Sequence, residues 1–276
     1  MARVLRVTTR NARFQQWEAL LTNRTKRQRS GEFLVQGVRP ITLAIQHRWD
    51  VRCLLYDAAA ALSRWARETV ASVPTEKVAL SPELMHELGG KSETPPELLA
   101  VVGLPEDDLR RIPAGPDLLV VVFDRPTSPG NIGTLVRSAD AFGASGVVVT
   151  GHAADVYDPK TVRASTGSLF AVPVVRARSH RQVVEWATGV RAGGTDVRLL
   201  GTDEAGAVHL AACDLTGPAA VVIGNETAGL SAAWRDACDE IVRIPITGSA
   251  SSLNAATAGS VVLYEAARQR GVGRGV

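Results

Sequence analysis

The chain has 276 residues, of which 45% are hydrophobic and 21% are charged, proportions that are typical of a globular protein. No stretch reaches the ~20 apolar residues that a membrane span needs, and the charged N-terminus has no apolar core, so we expect neither a membrane segment nor a secretory signal. The three cysteines are scattered and the five histidines are isolated, which predicts no disulfide framework, no metal site and a cytoplasmic location.

The charge is concentrated at the start of the chain. Residues 1–40 carry nine basic and two acidic side chains, a net +7, although the whole chain carries only +3. A basic end on a near-neutral body is typical of proteins that bind nucleic acids, and a solvated arm is the alternative. The candidate phosphate contacts are Arg24, Lys26, Arg27 and Arg29.

The first part of the chain predicts a small α/β domain. The helical spacing of Phe14, Trp17, Leu20 and Leu21 predicts a helix over 13–23. Beyond the basic segment, alternating patterns predict strands at 31–37, 51–57, 76–80 and 98–102, and helices at 38–47, 59–71 and 82–88. Three prolines and mixed charges then indicate a linker. We therefore expect domains at 1–103 and 117–276, joined by a linker at 104–116.

The second domain alternates strands and helices regularly. Apolar runs predict strands at 118–124, 146–151, 172–175, 197–202, 219–223 and 240–244. Helical spacing predicts helices at 132–142, 159–166 and 179–189, and from about 252 to 270. Such β-α alternation is typical of a parallel sheet that is covered on both faces. Polar, glycine-rich turns follow several strands, and in such sheets ligand sites lie at the carboxyl ends of the strands.

Three of these turns carry a resemblance to a known family. Asn131 to Arg137 (NIGTLVR), Gly224 to Glu226 (GNE) and Ile244 to Ala256 (IPITGSASSLNAA) resemble, in order, the three motifs of the SpoU (TrmH-type) RNA 2′-O-ribose methyltransferases. The resemblance implies a SPOUT domain with a trefoil knot, preceded by a small L30e-like RNA-binding domain. It also implies S-adenosylmethionine as cofactor, RNA as substrate, and a homodimer that forms through the C-terminal knot region.

The resemblance also implies roles for individual residues. Gly224, Ile244 and Leu253 would contact the cofactor, and the strand end at Thr202 and Asp203 would supply another edge. Without the family, core packing is the alternative for Ile244 and Leu253. The implied catalytic residues are Arg137, Asn131, Glu226, Ser252 and Asn254.

Four of the five catalytic candidates also have a simpler interpretation. Arg137 is a surface arginine if the motif is set aside, and Asn131 or Ser252 is a helix cap. Glu226 would then be a charge at a helix start. Because arginine stays protonated at neutral pH, we expect Arg137 to position a phosphate and stabilise charge on the 2′-oxygen rather than accept a proton. Gly133, one turn earlier, is expected to leave room for the substrate.

The sequence thus predicts an S-adenosylmethionine-dependent RNA 2′-O-methyltransferase. A full α/β domain before the catalytic one favours ribosomal RNA, 23S in particular, with transfer RNA as the alternative. A non-catalytic RNA-binding protein on the same scaffold is a second possibility. A nucleotide-binding oxidoreductase is disfavoured, because the loop after 118–124 has the wrong spacing for G-x-G-x-x-G. The modified nucleotide, and the choice between ribosome maturation and antibiotic resistance, stay open.

Overall fold

The structure, a computed structural model, describes residues 5–90 and 95–271. Its strands are β1 (Leu5–Val7), β2 (Glu32–Gln36), β3 (Val51–Asp57), β4 (Glu76–Leu80), β5 (Leu98–Gly103), β6 (Leu119–Asp124), β7 (Gly146–Thr150), β8 (Val174–Ala177), β9 (Arg198–Thr202), β10 (Val208–His209), β11 (Ala219–Ile223) and β12 (Glu240–Arg243). Its helices are α1 (Ala12–Thr22), α2 (Arg24–Ser30), α3 (Val38–Gln46), α4 (Arg64–Ser72), α5 (Pro82–Leu88), α6 (Pro129–Ala141), α7 (Pro159–Ala164), α8 (Ser168–Ala171), α9 (His180–Ala192), α10 (Ala232–Ala237) and α11 (Ala255–Gln269).

The chain divides into two units. The first comprises the residues up to Pro105 together with Tyr157–Ala171, and the second comprises Glu106–Val156 and the residues from Val172 onward. The first unit contains a five-stranded sheet in the order β1-β4-β3-β5-β2, in which β5 runs antiparallel to both of its neighbours. Helix α1 buries Phe14, Trp17 and Leu20 in the core of this unit, as their spacing predicts.

The second unit contains a seven-stranded sheet in the order β10-β12-β9-β11-β6-β7-β8, and all of its pairs are parallel. The central strands β6, β7 and β11 are buried along their whole length. This is the arrangement expected of near-continuous apolar runs that are covered on both faces. The parallel sheet predicted for this part of the chain is therefore confirmed.

Several boundaries differ from the sequence predictions. Helix α4 begins at Arg64 rather than at 59, because the Ser63 hydroxyl caps it by accepting the N–H of Ala66. Helix α6 begins at Pro129, three residues before the predicted start, since Ser128 caps it and proline suits the first helical turn. The short elements β1, β10, α8 and α10 were not predicted. Among the described residues, no helix has the length and apolarity that a membrane crossing requires.

Candidate active site

The three motifs lie at the carboxyl edge of the second sheet. Strand β11 pairs with β6 on one side and with β9 on the other, and β9 pairs with β12. Because these strands are parallel, the loops after all four of them emerge at the same edge. The first motif follows β6, the second follows β11 and the third follows β12. The fold therefore brings together residues as far apart in the chain as Asn131 and Asn254, which are separated by 123 positions.

Glu226 binds the loop that leads into α6. Its carboxylate accepts the backbone N–H of Thr127 at 3.0 Å and that of Ser128 at 3.3 Å. It also accepts the Thr127 hydroxyl and, at 3.2 Å, the side-chain amide of Asn131. One carboxylate of the second motif therefore fixes both the loop and the first residue of the first motif.

The protonation of Glu226 follows from these contacts. Burial alone would raise the pKa of this carboxyl, but the N–H groups of Thr127 and Ser128 and the amide of Asn131 stabilise its charged form and lower the pKa below its ordinary value. Glu226 is thus an ionised acceptor whose lone pairs are already engaged. This makes it a weak base and a good structural anchor.

Asn254 joins the third motif to the other two. Its side-chain N–H donates to Oδ1 of Asn131 at 3.2 Å. Its own Oδ1 caps α11 by accepting the N–H groups of Ala256 and Thr257. Asn254, and not Ser252, is therefore the cap of α11, and Asn131 is not the cap of α6, a role that Ser128 takes. A chain of side-chain hydrogen bonds runs from Glu226 through Asn131 to Asn254.

Arg137 lies on α6 and is exposed. Neither a hydrogen bond nor an ion pair joins its guanidinium to any of the described residues, so the group is available to a ligand. Gly133 is buried in the inward face of the same helix. The expectation that Gly133 leaves open space for substrate is therefore wrong, because its position is covered by the rest of the unit and not by solvent.

A cleft of about 450 Å³ opens beside this network. Such a volume lies within the ~300–1,000 Å³ range of small-molecule sites. The cleft is lined by the predicted cofactor residues Gly224, Ile244, Leu253, Thr202 and Asp203, and also by Glu226 and Ser252. Two large apolar side chains of its wall, Leu253 and Ile246, are more than a third exposed.

The polar wall of the cleft is partly occupied by internal bonds. The Thr202 hydroxyl donates to the carbonyl of Val222, so it ties β9 to β11. The Asp203 carboxylate receives Arg235 at 2.6 Å and the N–H of Ala205 at 3.0 Å. Arg235 also lines the cleft. It was not predicted from the sequence, because the pairing joins a residue of α10 to the loop after β9, 32 positions away in the chain.

Gly224 sits where no other residue fits. A Cβ at this position would lie 2.4 Å from the carbonyl carbon of Gly229 and 2.5 Å from the nitrogen of Leu230. The close approach lets Asn225 and Gly229 exchange two backbone hydrogen bonds of 3.0 Å. Glycine is therefore required to fold the second motif back on itself at the floor of the cleft.

The candidate RNA-contacting residues lie in the first unit, on α2. Lys26 and Arg29 are exposed and Arg24 is half-buried. Arg27 is only 2% exposed, and its guanidinium donates to the carbonyl of Leu20 at 2.6 Å and lies 3.7 Å from the carboxylate of Asp158. Arg27 is therefore a structural residue of this unit, and its prediction as a phosphate contact is corrected.

Comparison with known proteins identifies the class to which this fold and site belong. Residues 118–264 match the model of the SpoU rRNA Methylase family, and residues 11–100 match that of the SpoU L30e-like domain. Because the first of these matches spans more than half of the chain, the protein belongs to the SpoU rRNA methylase family.

One relative is similar over almost the whole chain. The chain is 61% identical over 269 residues to the 23S rRNA (uridine(2479)-2′-O)-methyltransferase of Streptomyces viridochromogenes, covering 98% of this chain and 94% of the relative. The crystal structure of the SpoU methyltransferase AviRb from the same organism, in complex with AdoMet, covers 95% of this chain and 98% of its own with a TM-score of 0.92. An AdoMet-bound rRNA methyltransferase from Sinorhizobium meliloti is 29% identical, with a TM-score of 0.83 over 96% of this chain and 98% of its own. The predicted family and its SPOUT fold class, with an L30e-like N-terminal part, are confirmed, whereas the trefoil knot stays a prediction.

Proposed function

We propose that the protein transfers a methyl group from S-adenosylmethionine to a ribose 2′-hydroxyl of 23S ribosomal RNA. The observation that carries this proposal is the hydrogen-bonded chain Glu226–Asn131–Asn254, which joins all three motifs beside a cleft of cofactor size. The characterised relative that is 61% identical to this chain is named for the same reaction on the same RNA.

The cleft fits the cofactor chemically. S-adenosylmethionine combines an apolar adenine with polar ends, and it supplies an electrophilic methyl group when bound. The exposed side chains of Leu253 and Ile246 offer an apolar surface for the adenine. Without a bound ligand these apolar side chains face water, which is unfavourable. Asp203 and the backbone after Gly224 offer polar groups. We expect Gly224, Ile244, Leu253, Thr202 and Asp203 to hold the cofactor, through the main chain as much as through side chains.

Arg137 provides the charge that the reaction needs. The 2′-oxygen gains negative charge as its proton leaves, and a guanidinium beside it stabilises that charge. Arginine stays protonated at neutral pH, so Arg137 does not take up the proton. Asn131 and Asn254 hold the loops around the ribose in place, Ser252 lies on the cleft wall, and Glu226 fixes Asn131. Pre-ordering of this kind lowers the entropic cost of aligning the hydroxyl with the methyl group.

The test is Arg137→Ala, with Arg181→Ala on α9 as the matched control because Arg181 is also an exposed arginine on a helix of the same unit. We expect methyl transfer to 23S rRNA to fall by about 10²–10³-fold in Arg137→Ala, the usual effect of removing one charge-stabilising group. Cofactor binding and melting temperature should stay at wild-type values, and Arg181→Ala should be fully active. Turnover by Arg137→Ala within threefold of wild type would contradict the catalytic role.

Transfer RNA is the second candidate substrate. Mapping 2′-O-methyl groups on ribosomal and transfer RNA that have been incubated with the protein and labelled cofactor separates the two. A mark confined to 23S rRNA supports the proposal. Methylation of transfer RNA alone would overturn the assignment of the substrate and leave the reaction intact. A protein that binds RNA without incorporating label would instead be the non-catalytic binder.

The RNA-binding role of the first unit is tested with Lys26→Glu/Arg29→Glu. Reversing two exposed charges that contact phosphates should weaken RNA binding and flatten its salt dependence. Arg64→Glu/Arg67→Glu on α4 is the charge-matched control in the same unit, since both residues are exposed there. An equal loss in the two double variants would mean that overall charge, and not the α2 surface, governs binding.

We also propose a cytoplasmic homodimer that forms through the C-terminal region. Tyr264 on α11 is 57% exposed and stacks edge-on against Phe142, with ring centroids 5.9 Å apart. The exposure of this aromatic side chain supports a buried contact on this face, since aromatic residues are enriched at interfaces. Light scattering should give twice the 29.2 kDa of the chain, and Tyr264→Glu should shift the mass toward the monomer. A monomeric wild-type protein would refute the dimer.

A further inference from the structure

Arg125 has a backbone conformation that arginine does not favour. It is the first residue after β6, and its φ of 48° lies in the left-handed region. In the described part of the chain only two other non-glycine residues, Arg48 and Thr166, share a positive φ. A side chain with a Cβ is strained there, and glycine would adopt the same backbone without strain. Strained residues of this kind concentrate at functional sites.

Several contacts hold Arg125 in this conformation. Its N–H donates to the carbonyl of Thr150 at 3.0 Å, and its carbonyl accepts the side-chain amide of Asn225 at 2.6 Å. Its Nε donates at 2.9 Å to Asp124, a buried carboxylate that is itself bound by the Thr150 hydroxyl at 2.8 Å. Gly151 leaves room for the arginine stem, since a Cβ there would lie 2.8 Å from Cγ of Arg125. Backbone and side chain are therefore both fixed.

The position of Arg125 points to the active site. It lies at the carboxyl end of β6, between β7 and β11, and its carbonyl is bound by the residue next to Glu226. Thr127, two residues further on, is bound by Glu226 itself. The Arg125 side chain is 38% exposed, and its Nη1 and Nη2 make no bond to the described residues. A guanidinium that is held through Nε alone presents its outer N–H groups to solvent.

We propose that Arg125 binds a backbone phosphate of the RNA beside the nucleotide that is methylated. The inference rests on the proposed function and adds an RNA contact to that of Arg137. A guanidinium presents a planar fork that matches two phosphate oxygens, and Asp124 fixes the plane of that fork. Contacts to phosphates set the register of a protein on nucleic acid, so Arg125 positions the strand so that one ribose reaches the cleft. The pairing with Asp124 uses only Nε, so a structural role does not account for the two outer nitrogens of the guanidinium.

The test compares Arg125→Gly with Arg48→Gly. Both changes remove one arginine at a positive φ, and Arg48 is an exposed turn residue of the first unit with a φ of 57°. Arg48→Gly should keep or raise the melting temperature, because glycine relieves the strain. Arg125→Gly should lower it, because the buried Asp124 carboxylate loses its charged partner. Only Arg125→Gly should raise the Kd for an unmodified 23S rRNA transcript, by about 10-fold, and lower the salt slope of binding by about 0.7–0.9. Its Kd for S-adenosylmethionine should match that of the wild type. Arg125→Lys keeps the charge and loses the planar fork, so its Kd for the transcript should lie between those of the wild type and Arg125→Gly.

Three results would overturn the inference: wild-type RNA affinity in Arg125→Gly, an equal loss of RNA affinity in Arg48→Gly, or a raised Kd for S-adenosylmethionine in Arg125→Gly. The last result would mean that the variant disturbs the whole site and does not merely lose a phosphate contact. A wild-type protein that binds the transcript but methylates no RNA would refute the proposed function instead. The binding comparison between the two glycine variants still decides the role of Arg125 in that case.

Discussion

Asn131 is the residue on which the geometry of the site depends most directly, and Asn131→Asp tests this dependence. The wild-type amide donates to Glu226 at 3.2 Å and accepts from Asn254 at 3.2 Å. The aspartate keeps the acceptor for Asn254 but replaces the donor with an oxygen that faces the Glu226 carboxylate. The shape of the side chain is almost unchanged, so any effect reports on charge.

The magnitude follows from the separation of the two groups. Two unit charges 3.2 Å apart repel by roughly 5 kcal/mol at an effective dielectric constant of about 20. Both side chains are half-buried and can move apart, so we expect about 2 kcal/mol to remain. This corresponds to about a 30-fold loss of methyl transfer at pH 8. At lower pH the two carboxyls share a proton and recover a hydrogen bond, so the loss should shrink as the pH falls.

The assay is methyl transfer to 23S rRNA between pH 5.5 and 8.5, with Asn131→Ala as the control. The alanine variant loses both hydrogen bonds without adding a charge, so its deficit relative to wild type should not change with pH. The reasoning is refuted if Asn131→Asp has the pH profile of the alanine variant, or if it is as active as wild type at pH 8.

Two further predictions concern stability. Gly224→Ala should lower the free energy of unfolding in urea by about 1–3 kcal/mol, because its Cβ meets the backbone of the turn. The control is Gly189→Ala in α9, which has open space around it and should raise the free energy of unfolding by about 0.5–1 kcal/mol. Similar effects at both positions would contradict the tight turn. Hydrogen bonds from Arg268, and then from Gln269, lower the pKa of Glu265 from 4.5 to about 2. The charged form therefore stabilises the fold above pH 4.5, and Glu265→Gln should cost about 0.5–1 kcal/mol at pH 7 and progressively less as the pH falls from about 4.5 toward about 2. A deficit that is the same at pH 3 and pH 7 would show that the contact acts by packing alone.

The sequence predicts the core of the fold because its signals are local. Uninterrupted apolar runs mark β6 and β11, and the spacing of Phe14, Trp17 and Leu20 marks α1. The short strand β10 has two residues, too few for a pattern. The start of α6 is marked in the sequence by Ser128 followed by Pro129, a helix-start signal, whereas the prediction placed the start after Asn131.

The site was predicted as a set of residues and not as a set of contacts. The motifs specify that Asn131, Glu226 and Asn254 belong together, but the bonds among them depend on the order of β6, β11 and β12 in the sheet. The burial of Arg27 was unpredictable for the same reason, because its acidic neighbour, Asp158, lies 131 positions away in the chain. Charge alone cannot distinguish a basic residue that meets RNA from one that supports the domain.

The far end of α11 also bears on the active site. Arg270, directly after this helix, donates to the backbone carbonyls of Asp117, Leu118, Leu215 and Gly217. Asn254 caps the opposite end, and 15 helical residues of ~1.5 Å each separate the two by about 22 Å. The contacts of Arg270 therefore fix the C-terminal end of α11. Losing them should let the whole helix tilt, and this would move Asn254 at its N-terminal end. A chain cut just before Arg270 should therefore lose methylation without the removal of a single group that lines the cleft.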